Sequence, residues 1–177
     1  SLLYSGRNYG RGNYLYTGDR AGTRYYNVMT DVDGNGPGFR AGRINPSFKN
    51  EMTSVMINPF IKYGGLEFFG IIETISGQDA NDTDTRTYNH YAGELIYRFG
   101  ADEDFYLGGR YSTVDGELNS NTDISVNRFQ LGAGWFLTKN ILAKLEYVNQ
   151  EYNDYPTGDI YNGGQFNGIT LEAAISF

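Results

Sequence analysis

The chain has 177 residues, a net charge of −7 and a mean hydropathy of −0.49, which are values typical of an ordinary globular chain. It contains no Cys and no apolar run of about 18 residues, which excludes a disulfide framework, a thiolate metal site and a transmembrane helix. The 16 Tyr, 11 Phe and 24 Gly stand beside only 4 Pro, a composition that favours strands joined by turns over helices or a disordered chain.

Residues 1–50 are predicted to be the end of a strand followed by a long loop, which is either extracellular or folded into a lumen. They carry seven basic and three acidic side chains, so the acidic charge lies in residues 51–177. A basic segment on an acidic body is not a general nucleic-acid footprint, and we expect no nucleic-acid partner. Asp31, Asp33 and Asn35 resemble the start of a calcium loop, but Gly42 stands where a bidentate Glu is needed, which favours a plain turn.

Residues 51–177 show period-two alternation seven times, which predicts seven antiparallel strands. In each strand one set of alternate positions is mainly aliphatic and aromatic, and the other set holds most of the charged and small residues. The predicted strands are 53–63, 66–74, 89–99, 105–113, 127–137, 141–149 and 169–177.

Strand length, connection length and aromatic placement together predict a transmembrane β-barrel of the outer-membrane type. Strands of about nine to eleven residues cross a bilayer at a tilt of about 45°. The short connections 64–65, 100–104 and 138–140 alternate with long polar ones at 76–88, 114–126 and 150–168, as periplasmic turns alternate with outer loops. Outward aromatics near both strand ends are typical of two interfacial girdles. Those beside the short turns are Tyr63, Phe99, Phe105 and Trp135, and those nearer the long loops are Tyr91, Tyr111, Phe129 and Tyr147.

The last predicted strand runs toward the side of the short turns and ends in Phe177 after apolar residues at alternate positions. This end resembles the C-terminal signal read by the outer-membrane barrel assembly machinery. We therefore expect the outer membrane of a Gram-negative bacterium as the location, and its lipids and lipopolysaccharide as partners.

The odd strand number leaves the barrel incomplete, because bacterial single-chain barrels have an even number of strands. Ser1 to Tyr4 is too short to span a bilayer, so we infer the C-terminal part of a larger barrel whose remainder lies N-terminal to Ser1. The alternative is an eight-stranded barrel in which residues 11–30 supply the closing strand. Large barrels enclose an aqueous lumen, whereas eight-stranded ones are filled by side chains. Small inward residues favour the lumen: Ala92, Gly108, Ser112, Gly132, Gly134 and Ala174.

Several strings resemble the outer-membrane porins of Bacteroidetes, which are related to the phosphate-selective porin family. They are residues 48–51 (FKNE), 57–60 (INPF), 65–70 (GLEFFG), 105–111 (FYLGGRY) and 128–147 (RFQLGAGWFLTKNILAKLEY). The resemblance covers most of residues 40–177 and only the C-terminal portion of such porins. It implies a large barrel and, from the wider family, a homotrimer, but no preference for phosphate.

Charged residues at inward positions are predicted to line a pore, where rings of charge select ions by sign. The alternative is a set of cross-strand ion pairs that brace a hydrated wall. The candidates are Lys62, Glu67, Glu73, His90, Glu94, Arg98, Arg110, Arg128, Lys144 and Glu146, with Glu172 on the last strand. Their mixed signs argue against strong selectivity.

Four arginines of the long first segment are candidates for a constriction that favours anions: Arg7, Arg11, Arg20 and Arg24. The alternative is a solvated outer loop whose arginines bind lipopolysaccharide phosphates.

The function predicted from the sequence is passive diffusion of small hydrophilic solutes or ions through an outer-membrane porin, with an anion preference if the arginines form the constriction. The alternatives are a non-conducting structural or adhesive barrel and a wall component of a larger transport or secretion assembly. We expect no cofactor and no enzymatic activity, because His90 is the only His and has no candidate nucleophile nearby. A barrel hydrolase or a lipid-modifying enzyme is the enzymatic alternative.

Overall fold

The computed structural model describes residues 2–4, 44–118 and 121–176, and these residues form strands, turns and irregular segments without any helix. The predicted all-β antiparallel class is therefore confirmed over the described residues. The strands are β1 (Leu2–Tyr4), β2 (Glu51–Ile57), β3 (Phe60–Tyr63), β4 (Leu66–Gln78), β5 (Arg86–Phe99), β6 (Phe105–Leu118), β7 (Thr122–Thr138), β8 (Ile141–Asn153) and β9 (Gln165–Ile175). Within this part of the chain, no helix is long and apolar enough to cross a membrane.

The strands form one antiparallel sheet in the order β1-β2-β4-β5-β6-β7-β8-β9, with β3 beside β4 as the continuation of β2. Eight ribbons therefore lie side by side: the seven complete strands predicted and the short β1, which coincides with the strand end predicted at the start of the chain. In β1, Leu2 lies opposite Val55 and Tyr4 opposite Thr53. Among the described strands β1 and β9 do not pair with each other, so the sheet is open.

Pro59 divides the predicted strand 53–63 into β2 and β3 without changing its register. Ile57 lies opposite Ile72 and Phe60 opposite Phe69, so both segments keep the same alignment with β4. Proline has no N–H to donate to the ladder, which interrupts the hydrogen bonding at this position. The Pro59 carbonyl still accepts a bond from the Gly70 N–H at 2.8 Å.

The predicted loop at 114–126 is wrong, because β6 extends to Leu118 and β7 begins at Thr122. The other two long connections also shorten, to 79–85 and 154–164. The strands continue because apolar and polar residues still alternate there, but the apolar residues now lie on the opposite face of the sheet. Val114, Ile124 and Val126 are buried on the face that carries charges elsewhere, while Asp115 is exposed on the other face.

An apolar cluster fills the buried face of the sheet at the end with the long connections. Residues 44–50 lie over this end, where Phe48 is fully buried and meets the Tyr88 ring edge-on at 5.9 Å between centroids. The N–H groups of Lys49 and Asn50 both donate to the Gln78 carbonyl, at 3.0 and 3.1 Å, which fixes the segment to β4. The cluster comprises Ile44, Phe48, Met52, Ile75, Tyr88, Val114, Ile124, Val126, Tyr152 and Tyr155.

Replacing Gly116 by Ala should destabilise the sheet, because a Cβ there would lie 1.9 Å from Cδ1 of the buried Tyr88 ring. Tyr88 has little freedom to move, since its hydroxyl donates to the Glu117 carbonyl at 2.8 Å. We expect a loss of about 1–3 kcal/mol in the free energy of unfolding, measured by urea titration. Gly168→Ala is the matched control, because nothing lies within 4 Å of the Cβ position there. Equal stability of the two variants would contradict the packing described.

Candidate functional site

The two faces of the sheet differ in chemistry. The exposed face is formed by the even-numbered residues of β4 and the odd-numbered residues of the other strands from β2 to β9, and the covered face by the remaining ones. Twenty-five large hydrophobic side chains are exposed among the described residues, and all but Phe60 and Ile160 belong to the exposed face. An apolar surface of this extent is unusual for a water-soluble monomer.

The aromatic side chains of the exposed face form a continuous row at the end with the short connections. Tyr97, Phe99, Phe105 and Trp135 stack one on the next across three strands, with centroid separations of 6.1, 5.7 and 5.6 Å. Tyr63 lies near the same end and is 83% exposed. Four of the five predicted interface aromatics therefore share one edge of the exposed face, and Phe177 lies outside the described residues.

The apolar part of the exposed face ends before the long connections begin. On β5 it extends over residues 91–99 and on β7 over residues 129–137, which is about 26–30 Å along each strand at roughly 3.3 Å per residue. Beyond it come polar residues such as Asn89 and Asn127, and then charges. Among the described strand residues the charges of this face are confined to that end: Glu51, Asp115, Glu117, Asp123 and Glu151.

All of the charged residues predicted to face inward lie on the covered face, and the structure arranges them in three groups along it. Nearest the short connections, Glu67 accepts from Lys62 Nζ at 2.8 Å and from Arg98 Nε at 2.9 Å. The Arg98 guanidinium lies 5.8 Å from the ring centroids of both Tyr106 and Phe136. This first group is partly exposed, so its ion pairs contribute little individually.

The second group surrounds a cavity of about 270 Å³ at the middle of the covered face. Glu146 accepts from Lys144 Nζ at 2.6 Å and from Gln130 Nε2 at 3.1 Å. Arg110 Nη1 lies 3.5 Å from a Glu94 oxygen, which is a long hydrogen bond. The rings of Tyr106 and Phe136 and the backbone of Gly108 and Gly132 complete the lining.

The third group is buried below the apolar cluster. Glu73 accepts from the Ser54 hydroxyl at 3.2 Å and lies 3.7 Å from His90 Nδ1. Arg128 Nε donates to the Gln150 side chain at 2.6 Å. The register places Glu73 directly opposite His90. The Ser54–Glu73–His90 set does not form a catalytic triad, because Ser54 and His90 each contact Glu73 and the imidazole does not lie between the hydroxyl and the carboxylate.

The small inward residues have a different role from the one predicted at two positions. A Cβ at Gly134 would lie 1.9 Å from the Tyr106 ring, so this glycine makes room for an aromatic side chain rather than lining open space. Ser112 is fully buried. At Gly132, by contrast, a Cβ would meet only the Leu145 carbonyl oxygen, at 3.9 Å.

Two buried polar residues were not predicted from the sequence. Arg86 bonds to Asp82 at 2.8 Å and donates from Nη2 to the Pro46 carbonyl at 3.0 Å, so it ties residues 44–50 to the sheet. Gln150 is fully buried opposite Arg128. Both were assigned to polar loops, and the only signal against that assignment was the shifted alternation.

In the connection 154–164, burial raises the pKa of the Tyr155 hydroxyl.

The remaining predicted site residues lie outside the described part of the chain. They are the constriction candidates Arg7, Arg11, Arg20 and Arg24 and the weak calcium candidates Asp31, Asp33 and Asn35. Within residues 2–4, 44–118 and 121–176 no group of three or more His, Cys, Asp or Glu side chains could hold a metal ion.

Comparisons with protein-family models, with curated proteins and with solved structures found no match. The resemblance to Bacteroidetes porins therefore stays a prediction from the sequence.

Asp82→Asn should destabilise the fold by about 3–5 kcal/mol, because it leaves the buried Arg86 guanidinium without its charged partner. The side chains of this pair are only 9% and 5% exposed. Glu67→Gln is the matched control, since it breaks two partly exposed ion pairs and should cost about 1 kcal/mol or less. Urea unfolding of both variants in the same detergent measures the difference, and a larger cost for Glu67→Gln would overturn the ranking.

Proposed function

We propose that the chain is part of the wall of a transmembrane β-barrel in the outer membrane of a Gram-negative bacterium and that the barrel is a diffusion channel for small hydrophilic solutes or ions. The observation that carries this proposal is the inverted distribution of side chains. Aliphatic and aromatic residues are exposed on one face, while Glu73, Arg128 and Glu146 are buried on the other. Lipid on the exposed side accounts for this arrangement, and water does not.

The dimensions of the apolar band support a membrane location. Its length along β5 and β7 corresponds to a strand that crosses the hydrocarbon core at a tilt. The stacked row from Tyr97 to Trp135 lies at one border of the apolar band, where an interfacial girdle would be. Tyr91, Tyr111 and Phe129 lie at the opposite border, next to the polar residues of the exposed face. On this reading, the short connections face the periplasm and the charged end faces outward.

The covered face would line the lumen. Its charges alternate in sign and pair with one another, so the described wall by itself gives weak ion selectivity. An anion preference would then depend on Arg7, Arg11, Arg20 and Arg24. The sheet that the described residues form requires further strands to close it into a barrel. Assembly through Phe177 and a homotrimeric state are parts of the same proposal.

A non-conducting barrel is the second candidate, and the apolar cluster favours it. Phe48 and Val126 are fully buried on the covered face, so the interior is filled at the level of the long connections. Such a barrel would act through its outer loops or as a structural element of the membrane.

The single Trp of the chain tests the membrane location directly. Trp135 should be quenched by lipids brominated on their acyl chains, and more strongly by bromine near the headgroup than by bromine near the chain end. The double variant Trp135→Phe, Phe136→Trp moves the indole to the covered face and is the matched control, which should lose most of the quenching. Equal quenching of the two proteins, or none in either, would be incompatible with a lipid-facing exposed face.

Conductance in a planar lipid bilayer separates the two candidates. We expect discrete conductance steps from the intact protein, because a hydrated lumen lined by paired charges passes ions. The control is the Trp135→Phe protein, whose substitution lies on the exposed face and should leave the step size unchanged. A bilayer that stays silent although the protein has inserted, as shown by lipid quenching, would leave the non-conducting barrel.

A further inference from the structure

The cavity at the middle of the covered face combines a charged rim with an aromatic wall. Arg110, Lys144 and Arg98 contribute three positive charges to its lining, against the two carboxylates of Glu94 and Glu146. Its volume of about 270 Å³ corresponds to about nine water molecules at roughly 30 Å³ each. A single small organic molecule fits in such a space.

The hydrogen bonding around this cavity leaves the Arg110 guanidinium incompletely satisfied. Both carboxylate oxygens of Glu146 are engaged, by Lys144 and by Gln130. Arg110 makes only the 3.5 Å contact to Glu94 through Nη1, and its buried Nη2 has no hydrogen-bond partner among the described residues. An unsatisfied buried guanidinium nitrogen is costly, and a carboxylate oxygen satisfies it best.

Another part of the lining is aromatic. The Tyr106 and Phe136 rings lie 6.4 Å apart between centroids with their planes inclined at 54°, and the Arg98 guanidinium lies 5.8 Å from each centroid. Together with Gly132, which carries no side chain, these two rings offer an aromatic surface beside a positive charge to a planar group of the ligand. Inorganic phosphate would fill only the charged side, whereas a ring that bears a carboxylate uses both.

We propose that this cavity is a binding site for a small ring-bearing carboxylate, with Arg110 as its anchor and Tyr106 and Phe136 as the surface that receives the ring. The observations that support the site are the cavity and the incompletely satisfied Arg110. A role of this site in selecting a permeating solute rests on the proposed channel function, because a permeating solute must bind within the lumen and then dissociate.

Benzoate is the probe, and isothermal titration of the intact protein in detergent micelles measures its binding. We expect saturable binding that weakens at least about tenfold in Arg110→Gln, which removes the charged donor. Gly132→Met should abolish it by filling the cavity, and its Cβ has room at that position. Lys62→Gln, on the same face but outside the cavity, is the matched control and should bind as the unmodified protein does. Far-UV circular dichroism verifies that each variant is folded.

Three comparison ligands test which chemical groups of benzoate are needed for binding. Benzyl alcohol lacks the carboxylate, acetate lacks the ring, and inorganic phosphate lacks both, so each should bind more weakly than benzoate. Equal binding of benzyl alcohol or phosphate would overturn the proposed ligand class. Benzoate binding that is absent, or unchanged in both Arg110→Gln and Gly132→Met, would overturn the site.

The failure of this site and the failure of the channel give different results. Conductance steps without benzoate binding would remove the site and leave the channel. Benzoate binding to a protein that conducts nothing would leave the site and remove its role in permeation.

Discussion

The structure depends on one geometric constraint, which is that successive side chains of a strand point to opposite faces of the sheet. With this alternation, a strand such as β7 can place Phe129, Leu131 and Trp135 on one face and Arg128 and Gln130 on the other. Antiparallel registers then bring the same classes of side chain together across eight ribbons. Over the part of the sheet nearer the short connections, large apolar side chains are therefore exposed on one face and charged side chains lie on the other.

The same strands reverse this preference near the long connections, and this reversal connects the fold to the proposed function. Over one part of each strand the exposed face is apolar, and over the rest the apolar residues lie on the covered face under Phe48. A barrel wall that crosses a membrane and projects beyond it needs this reversal, because its outer side contacts lipid within the membrane and water beyond it. The proposed channel therefore has a charged middle section and an apolar upper section narrowed by residues 44–50.

The network of opposite charges on the covered face is less complete at one position than at the others. Glu67 and Glu146 are each held by two donors, so they stabilise the wall. Arg110 is less completely satisfied, and it borders the space left open at Gly132. The proposed carboxylate site lies at the point where this bracing is incomplete.

The sequence by itself determined the all-β antiparallel class, the position of each ribbon and the face on which each of the ten charged candidates lies, because period-two alternation is a local property of the chain. It did not determine where β6 and β7 end, since the exchange of faces at Val114 and Val126 looks like a loop when the neighbouring strands are unknown. Only the tertiary structure decided that His90 lies beside Glu73, that Tyr106 covers Gly134 and that Arg110 borders a cavity. Each of these contacts joins residues on different strands, and the register that joins them is set by the whole sheet.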